Sequence, residues 1–261
     1  MPVCCIYNSK GRELLRFNTE SYAEKRRIVV GRSSSCDVSL KSVAETNISR
    51  EHFYIERNSS DQWSIHDTSR AGIVINCNKV EEAELTNGMV VRFGQLFFCF
   101  GEKAQPTPYR LAWYDSDTKT EQRDVLWNGS NSIGASHDNY VTIRLGSVSR
   151  FHCRIDVHGD QLTISNISPM VETTVNEETL HEPMTLNVDD VIMLGDIEVK
   201  LVRTELPKVH VGDIMPEQQL RKHNKEVAKK QRSKPLVPLV ISAVITIIVV
   251  LLVYLTLKMM P

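Results

Sequence analysis

No two of the six cysteines stand at C-x-x-C spacing, and none lies beside a histidine pair. Cys4, Cys5, Cys36, Cys77, Cys99 and Cys153 therefore spell neither a zinc site nor a disulfide framework. They read as small buried or half-buried side chains of a reducing compartment. A glycine-rich nucleotide loop, a nucleophile elbow and an H-E-x-x-H pair are also missing. No enzyme, catalytic residue, metal site or cofactor is expected. No secretory leader is evident either, since MPVCCIYNSKGRELLRF has no basic segment leading into an apolar core.

Net charge is nearly absent, at −1 over 261 residues, but it is unevenly spread. Residues 221–261 hold eight Lys/Arg against Glu226 alone, a balance of +7 that leaves about −8 on residues 1–220. An acidic folded part makes nucleic acid an unexpected partner. From Leu236 to Leu257 there is no charge at all, and 22 such residues make a helix about 33 Å long, enough to cross a bilayer. The basic residues ahead of it favour a cytoplasmic N-terminal side. The expectation is a tail-anchored, single-pass membrane protein with its N-terminal domains cytosolic. A buried core helix is the bland alternative, but such helices keep a polar face. The sequons at Asn47, Asn58, Asn128 and Asn166 suit a glycosylated ectodomain instead, although such short patterns arise by chance.

With 41% hydrophobic and 24% charged residues, the chain is long enough for two ordinary domains. Short runs rich in Val, Ile and aromatics recur between turn signals: RIVVG (27–31), HFYIER (52–57), QWSIHD (62–67), GIVIN (72–76), MVVRFG (89–94) and QLFFCFG (95–101). Phe53 and Ile55 alternate with Tyr54 and Glu56, and Trp63 and Ile65 with Ser64 and His66, the mark of half-buried strands. This is the pattern of a β sandwich. A second series follows EKAQPTPY (102–109). Ser49 and Ser149, His52 and His152, and Asn76 and Asn176 each lie 100 residues apart, so the chain holds two diverged copies of one β domain.

Gly31-Arg32, Ser49-Arg50-x-His52, Asp67-x-Ser69, Gly72, Asn76 and Asn87-Gly88 ahead of VVRFG resemble the forkhead-associated (FHA) domain over residues 3–101. The resemblance implies an eleven-stranded β sandwich whose loops at one end bind a phosphothreonine peptide. The residue types suit that chemistry. Arg32 is a permanent multi-donor cation for a dianionic phosphate, and Gly31 lets the backbone turn tightly before it. Ser49 offers a hydroxyl donor and Arg50 further donors. Ser69 and Arg70 complete the expected peptide-binding set, with Gly31, His52, Gly72 and Asn76 in support. The family carries Asn before the glycine aligned with Gly72, and here that position is Ala71, where Arg70 is the expected substitute.

The second copy resembles the same family less closely. It keeps Ser149, Arg150 and His152, but Ala135 stands where Arg is expected, and the loop before Asn176 reads ISPMVETT with Glu172. A degenerate domain that packs or docks, without reading phosphate, is expected.

The full expectation is an all-β chain of two tandem FHA-like sandwiches, followed by a short basic helix and one C-terminal transmembrane helix. Its segments are 1–104 (phosphate-binding FHA domain), 105–206 (degenerate copy), 207–234 (basic linker), 235–257 (span) and 258–261 (tail). Functionally it reads as a membrane-tethered adaptor for a threonine-phosphorylated protein, either a kinase or its substrate, with contact to the first domain or self-association through the second. The rival is a structural piece of a membrane assembly resembling a secretion ring, in which FHA folds serve only for docking. Arg32 has no purpose in such a piece.

Overall fold

The computed structural model describes residues 2–43 and 47–204. The expected basic helix and membrane span lie outside these residues, and no helix among the described residues is long and apolar enough to cross a membrane.

The described chain is all-β apart from one short 3-10 turn at Thr19–Tyr22. The first repeat contains β1 (Val3–Asn8), β2 (Glu13–Asn18), β3 (Arg27–Gly31), β4 (Val38–Ser39), β5 (Phe53–Arg57), β6 (Trp63–Asp67), β7 (Ile73–Ile75), β8 (Asn78–Val80), β9 (Glu82–Leu85), β10 (Met89–Phe93) and β11 (Leu96–Phe100). They form a six-stranded sheet, β2-β1-β11-β10-β7-β8, facing a five-stranded one, β4-β3-β5-β6-β9. Each of the six runs rich in Val, Ile and aromatics contains a strand.

The second repeat contains β12 (Pro106–Asp115), β13 (Thr120–Trp127), β14 (Gly129–Gly134), β15 (Val141–Thr142), β16 (Cys153–His158), β17 (Gln161–Asn166), β18 (Thr173–Val175), β19 (Glu178–Thr179), β20 (Met184–Leu186), β21 (Val191–Leu194) and β22 (Ile197–Arg203). Its sheets run β13-β12-β22-β21-β18-β19 and β15-β14-β16-β17-β20, the same order position for position. The described residues therefore form two β sandwiches of one topology.

Side-chain alternation builds each core. Ile28, Val30, Phe53, Ile55, Ile65, Val91, Phe93 and Phe98 fill the first sandwich, and Ile133, Ile155, Val157, Ile164, Ile192 and Leu201 fill the second. A third cluster joins the two. On the outer face of the first six-stranded sheet, Cys5, Tyr7, Val74, Val90, Phe97 and Cys99 pack against Val125, Trp127 and Tyr140 of the second repeat. Trp127 is fully buried, with its ring 4.9 Å from Phe97 and 5.5 Å from Tyr7 between centroids. Tyr140 donates its hydroxyl hydrogen to the Val90 carbonyl at 3.0 Å. All five residues of β11 are buried, because one face meets the first core and the other meets the second domain.

All six cysteines are free, Cys77 half-buried and the rest buried. Burial pushes the Cys5 thiol up to about 11 and that of Cys153 to about 12, which makes them packing residues rather than nucleophiles.

Candidate functional site

At one end of the first sandwich three loops meet. The first leaves β3 at Gly31, which is buried and lies in ordinary extended backbone. The tight turn that the sequence suggests for Gly31 is not its purpose. A Cβ there would lie 2.2 Å from the Arg50 carbonyl oxygen, so the missing side chain lets two backbones cross. Hydrogen bonds then fasten this loop to the second, with the Arg32 amide donating to the Ser49 carbonyl at 3.0 Å and the Ser33 amide to the Arg50 carbonyl at 2.9 Å.

His52 fastens the second loop to the third. Its amide donates to the Val30 carbonyl at 2.8 Å, its carbonyl accepts from the Thr68 amide at 2.9 Å, and its Nδ1 accepts from the Ser49 amide at 3.1 Å. The last bond fixes the tautomer, since Nδ1 must be unprotonated to accept. Burial against Phe53 and Phe93 lowers the His52 pKa, which keeps the ring neutral and Nδ1 free to accept.

The third loop is shaped by its own side chains. The Asp67 carboxylate accepts from the Ser69 amide at 2.9 Å, and the Ser69 hydroxyl accepts from the Gly72 amide at 2.7 Å. The Arg70 amide donates to the Ser49 hydroxyl oxygen at 3.4 Å. That contact leaves the Ser49 hydroxyl hydrogen free to point outward. Gly72 has a left-handed φ of +89°, and a Cβ on it would meet Lys79 Cε at 1.9 Å. Lys79, on β8, thus lies across Gly72, which the motif spacing alone does not reveal. Asn76 is further off, in the two-residue β7–β8 turn, where it and Cys77 hold left-handed φ of 48° and 67°.

Arg32, Ser49 and Arg70 are therefore drawn together by backbone contacts, with Arg50 and Lys79 at the margins. Arg32, Arg50, Arg70 and Lys79 are exposed, and their side chains form no hydrogen bond or ion pair among the described residues. Such a set of idle donors around a free hydroxyl suits an oxyanion.

The second sandwich repeats the framework. Ala135 and Ser136 donate to Ser149 and Arg150 at 2.9 and 3.0 Å, the His152 amide donates to Ile133 at 2.8 Å, and His152 Nδ1 accepts from the Ser149 amide at 3.0 Å. A Cβ on Gly134 would lie 2.5 Å from the Arg150 carbonyl oxygen. The chemistry at this end differs. Ala135 occupies the place of Arg32 and packs against the core. The Ser149 hydroxyl is shared with Ser168 at 2.8 Å. Apolar side chains are on view, with Met170 87%, Ile167 43% and Phe151 41% exposed. Phe151 follows Arg150 where Glu51 follows Arg50.

Comparison with known proteins gives this framework a family. The FHA domain model matches twice, at residues 28–94 and 131–195, just over half of the chain. The chain belongs to the FHA family. FHA domains are non-catalytic modules that bind phosphothreonine peptides, and no enzyme domain is found among the described residues. Similar solved structures include an FHA domain studied for phosphothreonine-dependent interactions, at 26% identity over 38% of this chain and 99% of that one, with a TM-score of 0.33. The FhaA FHA domain complexed with the intracellular domain of Rv3910 is 28% identical over 36% of this chain and 98% of that one, with a TM-score of 0.32. Mycobacterium tuberculosis EmbR in complex with a low-affinity phosphopeptide is 23% identical over 41% of this chain and 27% of that one, with a TM-score of 0.32. Comparison with curated proteins gives no match.

Proposed function

We propose that the chain is a membrane-tethered reader of a threonine-phosphorylated protein, a kinase or a kinase substrate, and that only the first FHA domain reads phosphate. Arg32 and the Ser49 hydroxyl take the phosphate, while Arg50, Ser69 and Arg70 line the path of the peptide. Gly31, His52, Gly72 and Asn76 hold the loops. With Ala71 in place of the family's Asn, Arg70 and Lys79 supply the remaining donors. The observation that carries this reading is that hydrogen bonds gather the backbones of Arg32, Ser49 and Arg70 while the side chains of Arg32, Arg50, Arg70 and Lys79 have no partner among the described residues.

The second FHA domain serves as a packing and docking module, since Ala135 offers no cation where Arg32 stands in the first and packs against the core. Tethering rests on the sequence alone. The 22 uncharged residues from Leu236 follow a basic flank, and such a flank favours the cytosolic side for residues 1–234.

A phosphopeptide library titrated calorimetrically against the chain tests the reading. Phosphothreonine peptides should bind in preference to phosphoserine and unphosphorylated forms. Binding indifferent to phosphorylation would end the proposal. Protease added outside sealed membranes of cytosolic orientation should degrade both FHA domains, and glycan on any sequon would refute the topology.

A further inference from the structure

The two FHA domains enclose a cleft of about 590 Å³, within the range of small-molecule sites. Arg92 of β10 lines it from the first domain, and His137 and Arg144 line it from the loop and strand region after β14 in the second. Arg92 sits on the outer face of its sheet, opposite Val74 and Phe97 across the neighbouring strands, and is 4% exposed. Its guanidinium nevertheless makes no hydrogen bond or ion pair with any described residue. A guanidinium carries five donors, and a buried cation without a partner is costly to keep. Burial lowers the Arg92 pKa to about 10, against the pull of Asp138, Tyr140 and Asp124, so it is charged at neutral pH. Asp138 and Asp124 lie within electrostatic range but not at ion-pair distance from it.

The other charges of the cleft do not resolve this. Asp124 is paired with Lys10 at 2.9 Å, and the Asp115 carboxylate accepts from the Asp117 and Thr118 amides at 2.9 and 3.0 Å. Arg144 is exposed and has no ion pair. Partial desolvation, and then the charges of Arg144 and Arg92, lower the His137 pKa, which marks the two arginines as one positive corner beside a neutral imidazole. The equivalent of Arg92 in the second domain, paired in the same register, is Met193. The arginine is therefore a feature of the joined domains and not of the fold.

We propose that this cleft is an oxyanion site for a small phosphate-bearing molecule, held by Arg92 and Arg144 with His137 at its edge. Both domains contribute, so occupancy cements them together. The site is separate from the Arg32 loops and does not rest on their reading.

The full chain carrying Arg32→Ala, which removes the other phosphate cation, is titrated with inorganic phosphate while tryptophan fluorescence is followed, since Trp113 lines the cleft. Sodium chloride at matched ionic strength and citrate serve as the comparison arms. A saturable change is expected with phosphate and none with chloride. Arg92→Gln should weaken phosphate binding at least tenfold, and Arg144→Gln several-fold. If Arg92→Gln does not fold, the exposed Arg144→Gln decides. Absence of a saturable phosphate response, a response to citrate alone, or phosphate binding untouched by Arg144→Gln would each overturn the proposal.

Discussion

The loop ends of the two FHA domains share their backbone bonds almost one for one. In each, a glycine admits a crossing carbonyl, a histidine Nδ1 accepts from a serine amide, and the residue after the glycine donates to that serine's carbonyl. They differ in what they present: Arg32 beside Ser49, whose hydroxyl oxygen accepts from the Arg70 amide, in the first domain, and Ala135 beside Ser149, whose hydroxyl is paired with that of Ser168, in the second. Two tasks are thereby separated. Ser and His in S-R-x-H close the fold, which explains their presence in both copies, and the Arg between them lends it only a backbone carbonyl, while the anion chemistry turns on the residue after the glycine and the side chains around it. The outer sheet faces differ as well. That of the first domain is covered by Trp127 and Tyr140 of the second, and Tyr140 comes from the loop that corresponds to the Arg32 loop.

If the second domain is a packing module, the largest effect should come from its contact with the first. Trp127→Ala should cost about 3–5 kcal/mol of stability by calorimetric or denaturant unfolding, the range for truncating a buried large aromatic. A loss below about 1 kcal/mol would mean that the domains fold independently.

Next in size is the phosphate cation. Arg32→Ala removes charge-assisted hydrogen bonds worth about 1.5–3 kcal/mol, so phosphothreonine affinity should fall roughly tenfold to a hundredfold with the thermal midpoint unchanged.

The histidines should behave alike in both domains. Burial lowers the folded pKa of His52 and His152 below 6.5, so the unfolded chain binds more protons at acid pH. Stability should be complete above about pH 6.5 and decline as pH falls below it. Thermal unfolding at pH 7.5 and 5.5 checks the sign, and a higher midpoint at pH 5.5 would contradict the neutral-ring assignment.

The smallest effects sharpen the contrast. Lys79→Ala should weaken peptide binding only a few-fold, as a flexible exposed cation does. Ala135→Arg should create no phosphopeptide binding in the second domain, because the loops around it present Phe151, Ile167 and Met170 and offer no counterpart of Arg70 and Lys79. Acquired affinity there would show that the cation alone makes the site.

Most of the fold was legible in the chain. Alternation in HFYIER and QWSIHD marks half-buried strands, and the 100-residue offsets announce a repeat. LFFCF was legible as a strand, and its being apolar at every position is explained by cover on both faces. Its cover was not legible, because Val125, Trp127 and Tyr140 are scattered through the second repeat and no pattern in either half names them. Arg92 illustrates the same limit. Alternation in V-V-R-F puts it opposite Val91 and Phe93, where solvent is the usual neighbour, and only the docked domain buries it. At the candidate site, the resemblance to the FHA domain already groups Arg32, Ser49 and Arg70. Lys79 is not grouped with them, since its place across Gly72 depends on the β7–β8 register. Gly31 looked like a turn residue because its neighbour across the loop, Arg50, is nineteen residues away in sequence.

The most direct measurement of the account is calorimetric titration of the full chain with a selected phosphothreonine peptide, alongside Arg32→Ala and Ser149→Ala. One site per chain is predicted, with affinity at least about tenfold weaker in Arg32→Ala and unchanged in Ser149→Ala. Two sites per chain, or binding that survives Arg32→Ala and disappears in Ser149→Ala, would contradict it.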